Sequence, residues 1–160
     1  MKTEIWFGSL LVFTLLAALS SAAQEVSVAN GIGYGTTGIY ARSFESTLVK
    51  VGTAITYRPD AVNGDSFVIN TSGVYAVSYT DGDISSDDVG ISVNLPSTSK
   101  FSTSWGTGRE LCAFKVANTA GSCSATVHLS AGAVLRAHST FGGPPPDAQP
   151  IARFIVTKIR

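Results

Sequence analysis

Apolar and polar positions alternate with a period of two over short stretches of this chain. The alternation is sharpest in Thr71-Ser72-Gly73-Val74-Tyr75-Ala76-Val77-Ser78-Tyr79-Thr80. A Thr-Ser-Gly turn leads into a run where Tyr75, Val77 and Tyr79 share one side and Val74, Ala76 and Ser78 the other. Side chains of a strand point alternately to its two faces, so one face here is large and aromatic and the other small and mixed. The same reading predicts strands over 38–42, 54–58, 66–69, 74–80, 89–95, 110–116, 124–130, 134–139 and 152–159. Stretches rich in Gly, Pro, Asn and Asp separate them, at 59–65, 81–83, 117–121, 131–133 and 142–147. Short strands punctuated in this way predict an all-β, two-sheet antiparallel sandwich of jelly-roll type.

The last predicted strand differs from the others. Ala152, Phe154 and Val156 alternate with Ile155 and Ile159, and only Arg153, Thr157 and Lys158 interrupt the apolar run. A strand apolar on both faces is buried on both faces. One face meets the core; the other is covered either by a neighbouring subunit or by a local segment.

Three segments, in order, resemble the C1q/TNF-like jelly-roll superfamily, in particular bacterial C1q-like secreted domains. Phe67-Val68-Ile69-Asn70-Thr71-Ser72-Gly73-Val74-Tyr75-Ala76-Val77-Ser78-Tyr79 is similar to the family's F-x-x-x-x-x-G-x-Y-x-x-x-Y strand pair. Thr126-Val127-His128-Leu129-Ser130-Ala131-Gly132-Ala133-Val134-Leu135-Arg136 resembles its second hairpin, with Ala133 where an acidic residue is common. The closing Ala152-Arg153-Phe154-Ile155-Val156-Thr157-Lys158-Ile159 looks like its C-terminal strand, and Gly90-Ile91-Ser92-Val93-Asn94 fits the strand between. The resemblance covers residues 54–159. It implies a jelly roll that assembles as a homotrimer around its last strand. It also implies a non-enzymatic role in recognition, adhesion or a surface layer, with an extracellular protein or glycan as ligand. Tyr75, Val77, Tyr79, Phe154, Ile155, Val156 and Ile159 are then the set that builds the core or the trimer interface, and the sequence does not decide which. The family's usual collagen-like stalk has no counterpart in a Gly-X-Y tract here, so a free or surface-associated trimer is expected.

Composition adds a compartment. Residues 5–19 are apolar apart from Gly8, Ser9 and Thr14, and small residues follow up to Ala23. This is the form of a signal peptide cleaved after Ala23, with an apolar run too short to span a bilayer comfortably. The expected organisation is a signal peptide over 1–23, an irregular Gly-rich leader over 24–45 and a jelly-roll domain over 46–160. The product would be secreted or held at the cell surface, with no membrane span after cleavage. Formal charge is +0 and charged residues are 14% of the chain. Phosphate binding needs clustered Lys and Arg, and the absence of a cluster argues against nucleic acid. Cys112 and Cys123 are the only cysteines. In an oxidising compartment such a close pair is expected to form a disulfide, two buried free thiols being the alternative.

Candidate chemistry changes the picture little. Asp81-Gly82-Asp83-Ile84-Ser85-Ser86-Asp87-Asp88 is the one acidic cluster. Calcium takes several oxygen ligands from a flexible loop, so Asp81, Asp83, Asp87 and Asp88 are candidate ligands, with a solvated turn as the plain alternative. The resemblance keeps calcium open, because some members bind it near the trimer apex; no other cofactor is expected. His128 and His138 are the only histidines, and two of them without a nearby Glu do not make a cupin-type metal set. No Gly-x-Ser-x-Gly elbow or positioned carboxylate pair is visible, so no enzyme is expected. Gly31-Ile32-Gly33-Tyr34-Gly35 lacks the strand-to-helix setting of a phosphate loop. Trp105, Tyr34, Tyr40 and Tyr57 are candidate aromatic contacts for a sugar or protein, with core packing as their commoner fate. A carbohydrate-binding sandwich is the first rival reading, and a metal-dependent cupin-type enzyme the second.

Overall fold

Two strands far longer than any the sequence predicts organise the molecule. A computed structural model describes residues 24–29, 39–142 and 152–160, with backbone alone at 29, 83–87 and 117–119. In chain order the strands are β1 (Gln24–Ala29), β2 (Ser46–Val51), β3 (Ile55–Arg58), β4 (Ser66–Ile69), β5 (Gly73–Val93), β6 (Glu110–Leu129), β7 (Val134–Ser139) and β8 (Arg153–Lys158). A 3-10 turn, Phe101–Ser104, lies between β5 and β6.

β5 and β6 form one antiparallel ribbon, from Gly73 opposite Leu129 to Ser92 opposite Glu110. β8 pairs with the first half of β5, Tyr75 opposite Lys158 through Thr80 opposite Arg153. β7 pairs with the second half, Val89 opposite Ser139 through Val93 opposite Leu135. The ribbon therefore serves two sheets. The first runs β2-β1-β8-β5-β6 and the second β6-β5-β7-β4-β3, which is a two-sheet antiparallel jelly roll.

The ribbon corrects two predicted turns. Asp81-Gly82-Asp83 and 117–121 carry turn residues, yet they face each other across the ribbon, Asp81 opposite Gly121 and Gly82 opposite Ala120. Each segment satisfies the other's backbone, so the two bend together as one paired ribbon and not as separate loops; Cys112 and Cys123, 11 residues apart, end with Cα atoms 5.8 Å apart. The pairing slips between Asp83 and Ser86, where the ribbon passes from one sheet to the other. Gly121 also allows close approach at this bend, since a Cβ there would sit 2.4 Å from the Phe114 ring.

Two further expectations change. The stretch read as an irregular leader opens with β1, which lies between β2 and β8. Its partners are remote in sequence, so local pattern could not reveal it. The strand predicted over 38–42 is reduced to a single bridge, Ala41 to His138. The rest of the leader up to residue 38, including Tyr34 and the Gly31–Gly35 stretch, lies outside the described residues, as does the signal segment 1–23.

The core fills the space between the sheets. Val26, Val28, Tyr75, Val77, Tyr79, Phe154 and Val156 enter from the first sheet, and Ile55, Phe67, Ile69, Val89, Ile91 and Leu135 from the second. Phe44, on the segment before β2, wedges between them, 6.5 Å from the rings of Phe67 and Tyr79 and 6.3 Å from Phe154. Phe67 and Phe154 meet edge to face at 4.6 Å. Such aromatic pairs add about 0.5–1.5 kcal/mol beyond their burial.

Candidate functional site

The outer faces of the two sheets are built differently, and the first is the candidate site. Because Tyr75, Val77 and Tyr79 point inward, the small side of that strand points out. Registers place Ser27, Ile155, Ser78 and Ser124 in one row across the sheet, and Glu25, Thr157, Ala76 and Thr126 in the next. Ser124, Thr126 and His128 are exposed, and Ala76, Ser78, Ile155 and Thr157 half-buried. Ala76, Ser78, Ser124, Thr126, Ile155 and Thr157 line a shallow depression of about 390 Å³ on this face. At its β1 side Thr157 Oγ1 donates to Glu25 at 3.2 Å and Arg153 Nε to Ser27 Oγ at 3.4 Å. The depression is lined by small, uncharged side chains around one aliphatic, Ile155, and the same rows end on β2 in Val49 and Val51.

The residues expected to build core or interface therefore divide. Tyr75, Val77, Tyr79, Phe154 and Val156 belong to the core, at no more than 2% exposure. Ile155 lies on the outer face, and Ile159, just past β8, is 49% exposed. β8 is thus apolar on its inner face and mixed outside, where Arg153 and Thr157 flank Ile155. The expectation of a strand apolar on both faces holds only in part, because Arg153 and Thr157 share the outer face of β8 with Ile155.

The second sheet carries its own cover. Gly90 opposite His138 and Ser92 opposite Arg136 form its outer rows, and Gly90, Ser92 and His138 are all buried. Phe101, fully buried, packs on Gly90, where a Cβ would lie 2.5 Å from its ring. His138 Nε2 lies 3.2 Å from the Pro96 carbonyl and Nδ1 lies 2.6 Å from Ser92 Oγ. A carbonyl only accepts, so Nε2 carries the proton and Nδ1 accepts from the Ser92 hydroxyl. Arg136 Nη1 donates to the Leu95 carbonyl at 2.8 Å. Burial pushes the His138 imidazole down to about 3, so it is neutral in use. This serine–histidine pair ties down a loop and is closed to solvent. The two histidines sit on outer faces of different sheets, His128 in solvent and His138 under its loop.

The acidic cluster resolves unevenly. Asp81 is buried, its Oδ1 3.1 Å from Arg42 Nη2 and 2.8 Å from the Gly82 N–H, while Oδ2 accepts from Tyr79 Oη at 2.5 Å. Its oxygens are occupied, so it is a core anion and no free ligand for calcium. Asp88 faces Lys115 across the ribbon. The side chains of Asp83 and Asp87 lie outside the described residues. Among the described residues no three His, Cys, Asp or Glu side chains gather in a form that would hold a metal. No described helix is long and apolar enough to cross a membrane.

Cys112 and Cys123 form a disulfide with Cα atoms 5.8 Å apart. Both belong to β6, one in each arm, so the bridge ties the arms together across the bend. Tyr57 stacks on Phe67 at 4.9 Å and donates to Asp65, which burial and that carboxylate repay by raising the phenol's pKa. Asp65 also accepts from the Phe44 and Asp60 N–H groups at 2.8 and 2.7 Å. Tyr40 lies under Lys100, whose Nζ is 6.0 Å from the ring centre. Trp105 alone of the described candidate aromatics stands well exposed, at 49%. Pattern reading missed the Arg42–Asp81 and Ser92–His138 pairs, which join residues 39 and 46 positions apart.

No protein-family model matches the chain, and no curated protein does. Solved structures do. Murine APRIL at pH 8.0 superposes with a TM-score of 0.60 at 10% identity, over 86% of this chain and 99% of that one. Pika GITRL gives 0.56 at 8% identity, over 86% and 96%. The globular domain of zebrafish complement 1qA protein gives 0.55 at 11% identity, over 84% and 94%. At such identities the likeness concerns the fold, which is the C1q/TNF-like jelly roll that the sequence resemblance implies.

Proposed function

We propose that this chain is a secreted, non-enzymatic binding or surface-structural module that assembles as a homotrimer through the outer face of its first sheet. The observation that carries the reading is the contrast between the sheets. The second is roofed by its own chain, with Gly90, Ser92 and His138 buried, whereas the first presents Ala76, Ser78, Ser124 and Thr126 to solvent around Ile155. Small side chains let another surface approach the sheet closely, and Ile155 supplies an apolar contact at the centre. The fold and the sequence resemblance support the trimer as a reading. The disulfide supports an oxidising, extracellular setting. Light scattering on the chain expressed from Gln24 onward tests the proposal: a mass of three chains is expected, and a clean monomer at micromolar concentration overturns it. Stoichiometric transition metal in the purified protein would instead favour a cupin-type enzyme.

A further inference from the structure

The roof of the second sheet ends in a feature that the assembly reading does not use. Beyond the 3-10 turn Phe101–Ser104, Trp105 projects into solvent. A depression of about 320 Å³ lies between it and the ribbon, lined by Asp88, Trp105, Glu110, Ala113, Phe114 and Lys115.

The backbone that carries the tryptophan is held by its neighbours, and the Trp105 N–H itself donates to the Ser102 carbonyl at 3.4 Å. Phe101 and Ser104 are fully buried beneath the turn. Ser104 Oγ donates to the Phe101 carbonyl at 2.6 Å, Thr103 Oγ1 to the Lys100 carbonyl at 2.6 Å and the Thr107 N–H to the Ser104 carbonyl at 3.1 Å. Farther back, the Tyr40 N–H donates to the Ser97 carbonyl at 2.8 Å. Fixing the backbone beneath an exposed aromatic lowers the entropy lost in positioning it when a ligand docks.

The polar groups around it are unspent. Among the described residues the carboxylates of Asp88 and Glu110, the Lys115 ammonium and the Trp105 indole N–H make no hydrogen bond or ion pair. The site thus offers one flat apolar surface, two acceptor-only groups and two donors around a hollow of small-ligand size. A pyranose ring has the complementary form, with an apolar C–H face and hydroxyls at its edge. Two carboxylates against one ammonium leave a net negative charge, which disfavours sulfated and uronic sugars.

We propose that the depression beside Trp105 is a carbohydrate site, in which a neutral pyranose stacks on the indole while Asp88 and Glu110 accept hydrogen bonds from its hydroxyls. Every residue comes from one protomer, so the site is complete without assembly, and trimer formation only repeats it.

Trp105 is the only tryptophan after Trp6, so its indole resonance and emission report directly on the site. The test titrates the chain with methyl glycosides of glucose, galactose, mannose, fucose and N-acetylglucosamine, following the indole N–H resonance. At least one is expected to shift it saturably at millimolar concentration. Trp105→Ala should weaken that binding at least about tenfold, as loss of a stacking platform does. Asp88→Asn and Glu110→Gln should each weaken it at least about threefold with an unchanged unfolding midpoint. No shift from any glycoside overturns the proposal, as does full binding by Trp105→Ala. Binding only of sulfated or uronate polymers, abolished by Lys115→Ala, overturns the neutral class. Mass measured alongside keeps the result separate from the trimer, since Trp105→Ala should assemble normally.

Discussion

The two sheets share a ribbon and a core, but their outer faces have opposite fates. The second sheet buries His138 and Ser92 under residues 94–108, held by Phe101 on Gly90 and by the contacts to Leu95 and Pro96. The first leaves Ser124 and Thr126 in solvent and spends no loop on covering them. Roofing a sheet within one chain makes stability local and independent of concentration. Leaving a sheet bare makes part of the burial available to a second copy, and hence dependent on concentration. Substitutions on the two faces should therefore be read out differently, one in unfolding and the other in mass.

The largest effect is expected at the roof. Phe101→Ala removes a fully buried ring from above Gly90 and should cost about 3–5 kcal/mol in denaturant unfolding, while Ile155→Ala on the bare face costs a monomer under about 1 kcal/mol. Equal losses would erase the distinction between the faces.

The bridge across the bend comes next, because it bears on both sheets. Replacing Cys112 and Cys123 together by Ser should lower stability by about 3 kcal/mol in the chain-entropy view, seen as a lower unfolding midpoint by circular dichroism. A midpoint insensitive to both the replacement and to reductant would show that the ribbon holds its bend unaided.

Acid should strip the roofed sheet selectively. The folded His138 sits near 3 and the unfolded imidazole at 6.5, so only the unfolded chain takes up this proton between those values. The contribution is complete above 6.5 and falls by about 1.4 kcal/mol per pH unit as pH drops toward 3. His138→Phe should flatten that slope in unfolding curves measured from pH 7 downward. A slope unchanged by the substitution would assign the acid sensitivity to other groups.

The smallest effect on folding, and the largest on mass, is expected from Ser78→Arg. Placed beside Ile155 on the bare face, it should leave monomer stability within about 0.5 kcal/mol while converting the proposed trimer to monomers in light scattering. A trimer that survives it would move the contact to another surface.

Much of this contrast was legible in the sequence, and the missing parts share one cause. The alternation of Tyr75, Val77 and Tyr79 against Ala76 and Ser78 identified a half-buried strand, and the disulfide followed from a close pair of cysteines read together with an apolar N-terminal run of signal-peptide form. What the pattern left open, whether those aromatics face the core or an axis, depends on which elements lie behind them. Gly82 and Gly121 read as turn formers because composition cannot register that they face a paired strand. β1 was hidden for the same reason, since its hydrogen-bond partners are β2 and the distant β8. The roof escaped entirely. Ser92, Pro96 and His138 are unremarkable one by one, and only their meeting in space makes them a latch. Trp105 was visible as a candidate, but Asp88 and Glu110 beside it were not, because the fold brings them there.

The pairing of β1 with β8 has a mechanical consequence. Gln24 lies opposite Lys158 and Ala29 opposite Arg153, so the first and last described strands in chain order run antiparallel with Gln24 and Lys158 side by side. Tension applied between those two residues would pull across the ladder and open it one hydrogen bond at a time, the geometry of a zipper and not of a lap joint. A tether attached beside only one of them would carry load past the fold instead of through it. A fold loaded between these two residues is weak as a link in a chain under tension.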